Sequence, residues 1–87
     1  MYRLRYDTAV RQKIRDLPDR IRQEVSETLL DFQEDAHPFY AEPLFRELEG
    51  RFKIKVDGYR IIYIVQDNFV IILDIRRRNR NTYLNVP

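Results

Sequence analysis

The chain has 87 residues, no cysteine and a net charge of +2, which limits it to one small domain (residues 1–87) and excludes a disulfide framework or a thiolate metal site. The opening segment Met1-Tyr2-Arg3-Leu4-Arg5-Tyr6 lacks the apolar core of a signal peptide, and no stretch reaches the ~20 apolar residues of a membrane span. A soluble, cytoplasmic protein with no membrane partner is expected. Charge is divided unevenly, with 8 Lys+Arg against 11 Asp+Glu in residues 1–50 and 8 against 3 in residues 51–87, as suits a basic face directed at a polyanion such as nucleic acid.

Residues 2–6 alternate polar and apolar and read as a short strand that pairs with a later one. Thr8 is the predicted N-cap of a first helix near 8–17, in which Val10, Ile14 and Leu17 follow at i, i+4, i+7. Pro18 interrupts this helix and suits the first turn of a second, where Ile21, Val25, Leu29 and Phe32 form one apolar stripe ending near residue 35. Residues 37–43 hold two prolines and are predicted to be an unpaired connector. Three strands follow near 51–56, 59–66 and 69–76, joined by tight turns at Asp57-Gly58 and Asp67-Asn68. The expected fold is α+β in the order β-α-α-β-β-β, an antiparallel meander with helices on one face.

The Asp57-Gly58 turn, expected to be type I′, pairs Val56 with Tyr59 and sets Lys55 across from Arg60, with Lys53 on the same face. Like charges placed directly opposite on a sheet are destabilising, so an anionic ligand accounts for an arrangement that folding alone disfavours. Side-chain parity through both turns directs Phe52, Ile54, Val56, Tyr59, Ile61, Tyr63, Val65, Val70 and Ile72 toward the helices. The opposite face then carries Lys53, Lys55, Arg60, Ile62, Ile64, Ile71, Leu73 and Ile75. The five aliphatics Ile62, Ile64, Ile71, Leu73 and Ile75 are expected to bind a partner chain, unless the C-terminal tail covers them. A β-bulge would shift this parity.

Few groups for acid–base work are present. The lone histidine, His37, falls in the connector, so paired-histidine ribonuclease chemistry is not available. Asp31, Glu34 and Asp35 read as a solvated helix end without metal-ligand spacing, and no phosphate loop, Ser-His-Asp set or nucleophilic cysteine can be assembled; neither metal nor cofactor is expected. What remains is cationic: Lys53, Lys55 and Arg60, preceded by Arg51, then Arg76, Arg77, Arg78 and Arg80, with Tyr83 beyond. Alternating lysines also guard strand edges, and terminal arginine runs are often only solvated. Converging cations, however, bind a phosphodiester, stabilise the phosphorane formed when a ribose 2′-hydroxyl attacks it, and lower one another's pKa so that a lysine can accept a proton. A tyrosine beside them can stack on an extruded base.

The segments Leu48-Glu49-Gly50-Arg51-Phe52-Lys53-Ile54-Lys55-Val56 and Gly58-Tyr59-Arg60-Ile61-Ile62-Tyr63, with an arginine cluster before Tyr83, resemble the RelE/ParE toxin superfamily along nearly the whole chain. RelE-type members of that superfamily are ribosome-dependent endoribonucleases that cut messenger RNA in the A site, whereas ParE-type members poison DNA gyrase. The RelE-type resemblance implies that Lys53 and Lys55 activate the 2′-hydroxyl, that Arg60 holds the scissile phosphate, and that one of Arg77, Arg78 and Arg80, with Arg78 favoured, attends the leaving group. It assigns Tyr83 to the catalytic set; Arg51, Arg76, Arg77 and Arg80 are expected to contact RNA as part of the basic face. It implies a cognate antitoxin as protein partner. A gyrase inhibitor, or a degenerate toxin kept for its antitoxin contacts, are the alternative readings.

Overall fold

The computed structural model describes residues 1–36, 38, 41–79 and 82–86; His37 and Arg80 lie outside them. The chain begins with strand β1 (Arg3–Arg5) and helix α1 (Thr8–Arg15). The cap of α1 is Asp7 rather than Thr8: its backbone is extended, and its carboxylate accepts the Val10 amide at 2.8 Å. Lys13 and Arg15 fall in the last turn, where the helix dipole favours cations. Helix α2 (Asp19–Glu34) starts directly after Pro18 and buries Ile21, Val25, Leu29 and Phe32, the four residues of the predicted stripe.

The sheet holds five strands rather than four. After α2 come β2 (Glu42–Pro43), a 3₁₀ turn (Arg46–Leu48), β3 (Phe52–Val56), β4 (Tyr59–Gln66) and β5 (Phe69–Arg77). Their order is β1-β5-β4-β3-β2, with β1 parallel to β5 and the remaining pairs antiparallel, so the sheet is mixed. β2 corrects the expectation of an unpaired connector: Glu42 and Pro43 pair with Lys53 and Phe52. Proline is tolerated there because β2 is an edge strand.

The β3–β4 hairpin has the predicted register, Val56 opposite Tyr59 and Lys55 opposite Arg60. Its turn is not type I′, because only Asp57 takes a positive φ, +53°, while Gly58 stays outside the left-handed region. The turn is also tied to α2, whose Arg20 donates to the Asp57 carboxylate at 2.6 Å.

All nine residues assigned to the helix-facing side lie in or against the core, which also takes Val10, Leu17, Ala36 and the α2 stripe. Tyr63 is fully buried, stacks on Phe52, meets the tilted ring of Phe32, and donates its hydroxyl to the Ala36 carbonyl at 3.0 Å. Parity fails in β5, where Ile62 pairs with Asp74 but Tyr63 pairs with Ile72, leaving Leu73 as the extra residue of a bulge. Beyond the bulge the faces exchange. Ile75 therefore joins the core instead of the outer surface, and Asp74 and Arg76 turn outward. Among the described residues, no helix is long and apolar enough to cross a membrane.

Candidate functional site

The outer face of the sheet carries a ladder of cations, Lys55 opposite Arg60 and Arg60 opposite Arg76. Such a row is stable only if each member has other company. Lys55 and Lys53 share Glu42 of the neighbouring edge strand, at 3.3 and 3.7 Å. Arg60 is only 7% exposed, and its Nη1 donates to the main-chain carbonyls of Tyr59 (2.9 Å) and Asp57 (3.3 Å). Arg76 is held by the Asp74 carboxylate at 2.7 Å and by main-chain carbonyls of the C-terminal segment.

Lys53, Lys55, Arg60, Arg78, Asn79, Thr82 and Tyr83 line one cavity of about 260 Å³. Five of these seven are the residues predicted to be catalytic. Arg78 reaches the cavity because its amide donates to the Gly58 carbonyl at 2.7 Å, which continues the β4–β5 ladder past the hairpin turn. Tyr83 arrives from the tail, with the Lys53 ammonium 5.1 Å from its ring centre, within the range of a cation–π contact. Four cations therefore converge at the cavity, and the Glu42 carboxylate stands beside two of them, Lys53 and Lys55. The hydrogen bond from Lys55 draws the Glu42 carboxyl below its ordinary value against the opposing effect of desolvation, and Lys53 adds to the pull.

The other predicted contacts are dispersed. Arg77 lines a separate groove with Pro18, Arg20 and Tyr59, at the α2 end of the hairpin turn. Arg51 is half-buried ahead of β3 and does not line the cavity. Arg76 lies outside the cavity lining, its guanidinium engaged by Asp74 and by carbonyls of the C-terminal segment. Of the three arginines that competed for one role, Arg78 stands in the cavity, Arg77 does not, and Arg80 lies outside the described residues.

The expected partner-binding aliphatics divide as well. Ile64, Ile71 and Leu73 remain partly exposed, but Ile62 is completely buried although it is not part of the helix-facing core. Ile75, as described, belongs to the core.

Sequence reasoning missed Glu42 and Thr82. Glu42 was hidden by the prolines around it, although its place at a strand edge beside two lysines follows once β2 is drawn. Thr82 is bonded to Asn79, its hydroxyl accepting the Asn79 amide at 2.7 Å while its own amide donates back to the Asn79 carbonyl at 3.1 Å. A larger concavity of about 820 Å³ opens beside β1 among Tyr2, Arg3, Arg5, Tyr6 and Arg11. It is wide and shallow, and its arginines Arg5 and Arg11 lie over the rings of Phe69 and Tyr6. The smaller cavity is the better candidate because charge is concentrated there against the folding preference of the sheet.

The family model described as the ParE toxin of type II toxin–antitoxin systems matches residues 2–82. The chain belongs to this toxin family. Among solved structures, this toxin is 32% identical to a chain of the RelBE2 toxin–antitoxin complex from Mycobacterium tuberculosis, with a TM-score of 0.75 over 88% of this chain and 98% of that one. It shares its fold with a chain of the archaeal RelE–RelB complex from Pyrococcus horikoshii (22% identity, TM-score 0.79, 91% and 97% covered). The same fold recurs in the YoeB/ParE toxin from Agrobacterium tumefaciens (12% identity, TM-score 0.77, 88% and 99% covered). Comparison of the toxin with curated protein sequences yields no match.

Proposed function

We propose that this toxin is an endoribonuclease of the RelE type, which cleaves messenger RNA in the ribosomal A site by metal-independent attack of a ribose 2′-hydroxyl on the adjacent phosphorus. The observation that carries this reading is the meeting of Lys53, Lys55, Arg60, Arg78 and Tyr83 in one cavity. In the proposed reaction the O2′–P bond forms and the P–O5′ bond breaks, the departing O5′ taking a proton from water, to leave a 2′,3′-cyclic phosphate and a 5′-hydroxyl. Lys55, the more exposed of the two lysines, takes the proton of the attacking hydroxyl with Lys53 beside it. Arg60, immobilised by its two carbonyl contacts, and Arg78 hold the non-bridging oxygens, where negative charge grows as the phosphorane forms. Tyr83 offers a ring face to an unstacked base. This work on ribosomes places the protein in the cytoplasm.

A cognate antitoxin is the proposed protein partner, in keeping with the toxin–antitoxin complexes among the solved relatives. Ile64, Ile71 and Leu73 are its proposed contacts, the last two also lining an apolar groove with Tyr6 and Ile72. A second reading, inhibition of DNA gyrase, is favoured by the family model, which is that of a ParE toxin. Primer extension on messenger RNA in a purified translation system separates the two. Cuts that require both ribosomes and toxin support the ribonuclease reading; intact message together with gyrase-dependent DNA breaks would defeat it.

The same reading assigns Glu42 a restraining role. Glu42→Gln removes the carboxylate shared by the lysines, so affinity for a short single-stranded RNA should rise about two- to five-fold, the scale of one exposed ion pair. The dependence on salt should steepen as well. Fluorescence anisotropy titrations at two ionic strengths measure both effects.

A further inference from the structure

The bulge at Leu73 turns Asp74 onto the outer face in an otherwise aliphatic stretch. There its side chain is 11% exposed and fully engaged. Lys13 of α1 donates to it at 2.5 Å, the Ile75 amide at 2.8 Å and Arg76 Nε at 2.7 Å. Burial pushes the Asp74 carboxyl up, but the hydrogen bonds from Lys13, Arg76 and the Ile75 amide outweigh it and hold the carboxyl below its ordinary value. An ionised Asp74 thus orients the guanidinium next to it.

The rest of that guanidinium is committed to the tail. Nη1 donates to the carbonyls of Thr82 (2.9 Å) and Leu84, and Nη2 donates to that of Asn85 (2.9 Å). The residues before and after Tyr83 are therefore bonded to one side chain of β5. Between them Tyr83 projects to the lysines of β3, two strands away. A planar fork with five N–H donors can make these bonds together; a point ammonium cannot reproduce the pattern.

We propose that Arg76, oriented by Asp74, is the positioning residue of the site: it clamps the C-terminal segment across the sheet and so holds Tyr83 over Lys53. Its effect on cleavage rests on the ribonuclease reading, whereas its effect on the place of Tyr83 does not. The first readout is therefore spectroscopic. In the NMR spectrum of the full chain, the Lys53 ε-methylene protons should be shifted upfield by the Tyr83 ring current, and Tyr83→Leu should abolish that shift. Arg76→Gln should abolish it equally, while the core methyl signals of Ile54 and Ile61 keep their dispersion. An unchanged Lys53 signal in Arg76→Gln would overturn the proposal.

The second readout is single-turnover cleavage on programmed ribosomes. Arg76→Gln should fall to the level of Tyr83→Leu, and the double variant should be no slower than Tyr83→Leu alone, because both remove the same group from the cavity. Multiplying losses would show that the two residues act separately. If the glutamine variant does not fold, Arg76→Lys retains charge beside Asp74 without the fork and supports the same tests. A wild-type toxin that cuts no RNA removes the ribonuclease reading, and the Lys53 signal still decides the clamp.

Discussion

Arg78→Ala should lower the single-turnover rate of messenger RNA cleavage by about 10²–10³-fold, the usual consequence of deleting one donor aimed at charge that develops in the transition state. Stability should hardly change. The Arg78 side chain is exposed, and what anchors the residue is its amide, bonded to the Gly58 carbonyl, which the substitution preserves. Arg77→Ala is the matched comparison: it is adjacent, exposed and equally charged, yet it faces the groove beside Pro18 and Arg20. Its rate should stay within about two-fold of wild type, the scale of a surface charge remote from the reaction. Equal losses in the two variants would mean that only general basicity matters, and the cavity would lose its claim to be the site. Growth arrest on expression reports the same contrast in cells. Arg60→Ala is less informative, because Arg60 is buried and its removal disturbs the sheet as well as the phosphate contact.

The convergence of Lys53, Lys55 and Arg60 was legible because it depends on local rules. A two-residue turn fixes cross-strand partners, and alternation fixes their face. The helices were legible for the same kind of reason, since Ile21, Val25, Leu29 and Phe32 recur at helical spacing. What escaped depends on partners distant in sequence. No local signal places a bulge at Leu73; the one hint is an aspartate, Asp74, within an aliphatic stretch. Missing it assigned Ile75 to the surface and treated Arg76 as a free cation. The carbonyls that engage Arg76 come from residues 82–85, whose path over the sheet depends on tertiary contacts. Glu42 is not legible because the neighbouring proline argues against strand pairing, a rule that edge strands escape.

The largest loss of stability should follow substitution of Phe32, at the junction of α2 and the sheet. Its ring is fully buried and lies 4.6 Å, centre to centre, from that of Tyr63. Phe32→Ala removes both the buried area and the ring contact and leaves a cavity that the surrounding α2 and sheet residues cannot readily fill, at a cost of about 3–5 kcal/mol. For a chain of this size each 1 kcal/mol lowers Tm by roughly 4–8 °C, so the melting temperature should fall by at least about 12 °C. Leu30→Ala, two residues earlier on the same helix, is the control. Leu30 is 61% exposed, and its truncation should stay within about 0.5 kcal/mol. Chemical denaturation of the two variants, followed by circular dichroism, gives the comparison. A Phe32 variant as stable as wild type would mean that the helical layer does not hold the sheet. Loss of that layer also reaches the site. Tyr63 stands on β4 three residues beyond Arg60, and its hydroxyl ties the strand to Ala36, just beyond α2. Weakening the packing of Phe32 on Tyr63 should therefore loosen the strand that carries Arg60, and cleavage should decline at temperatures below the global melting transition.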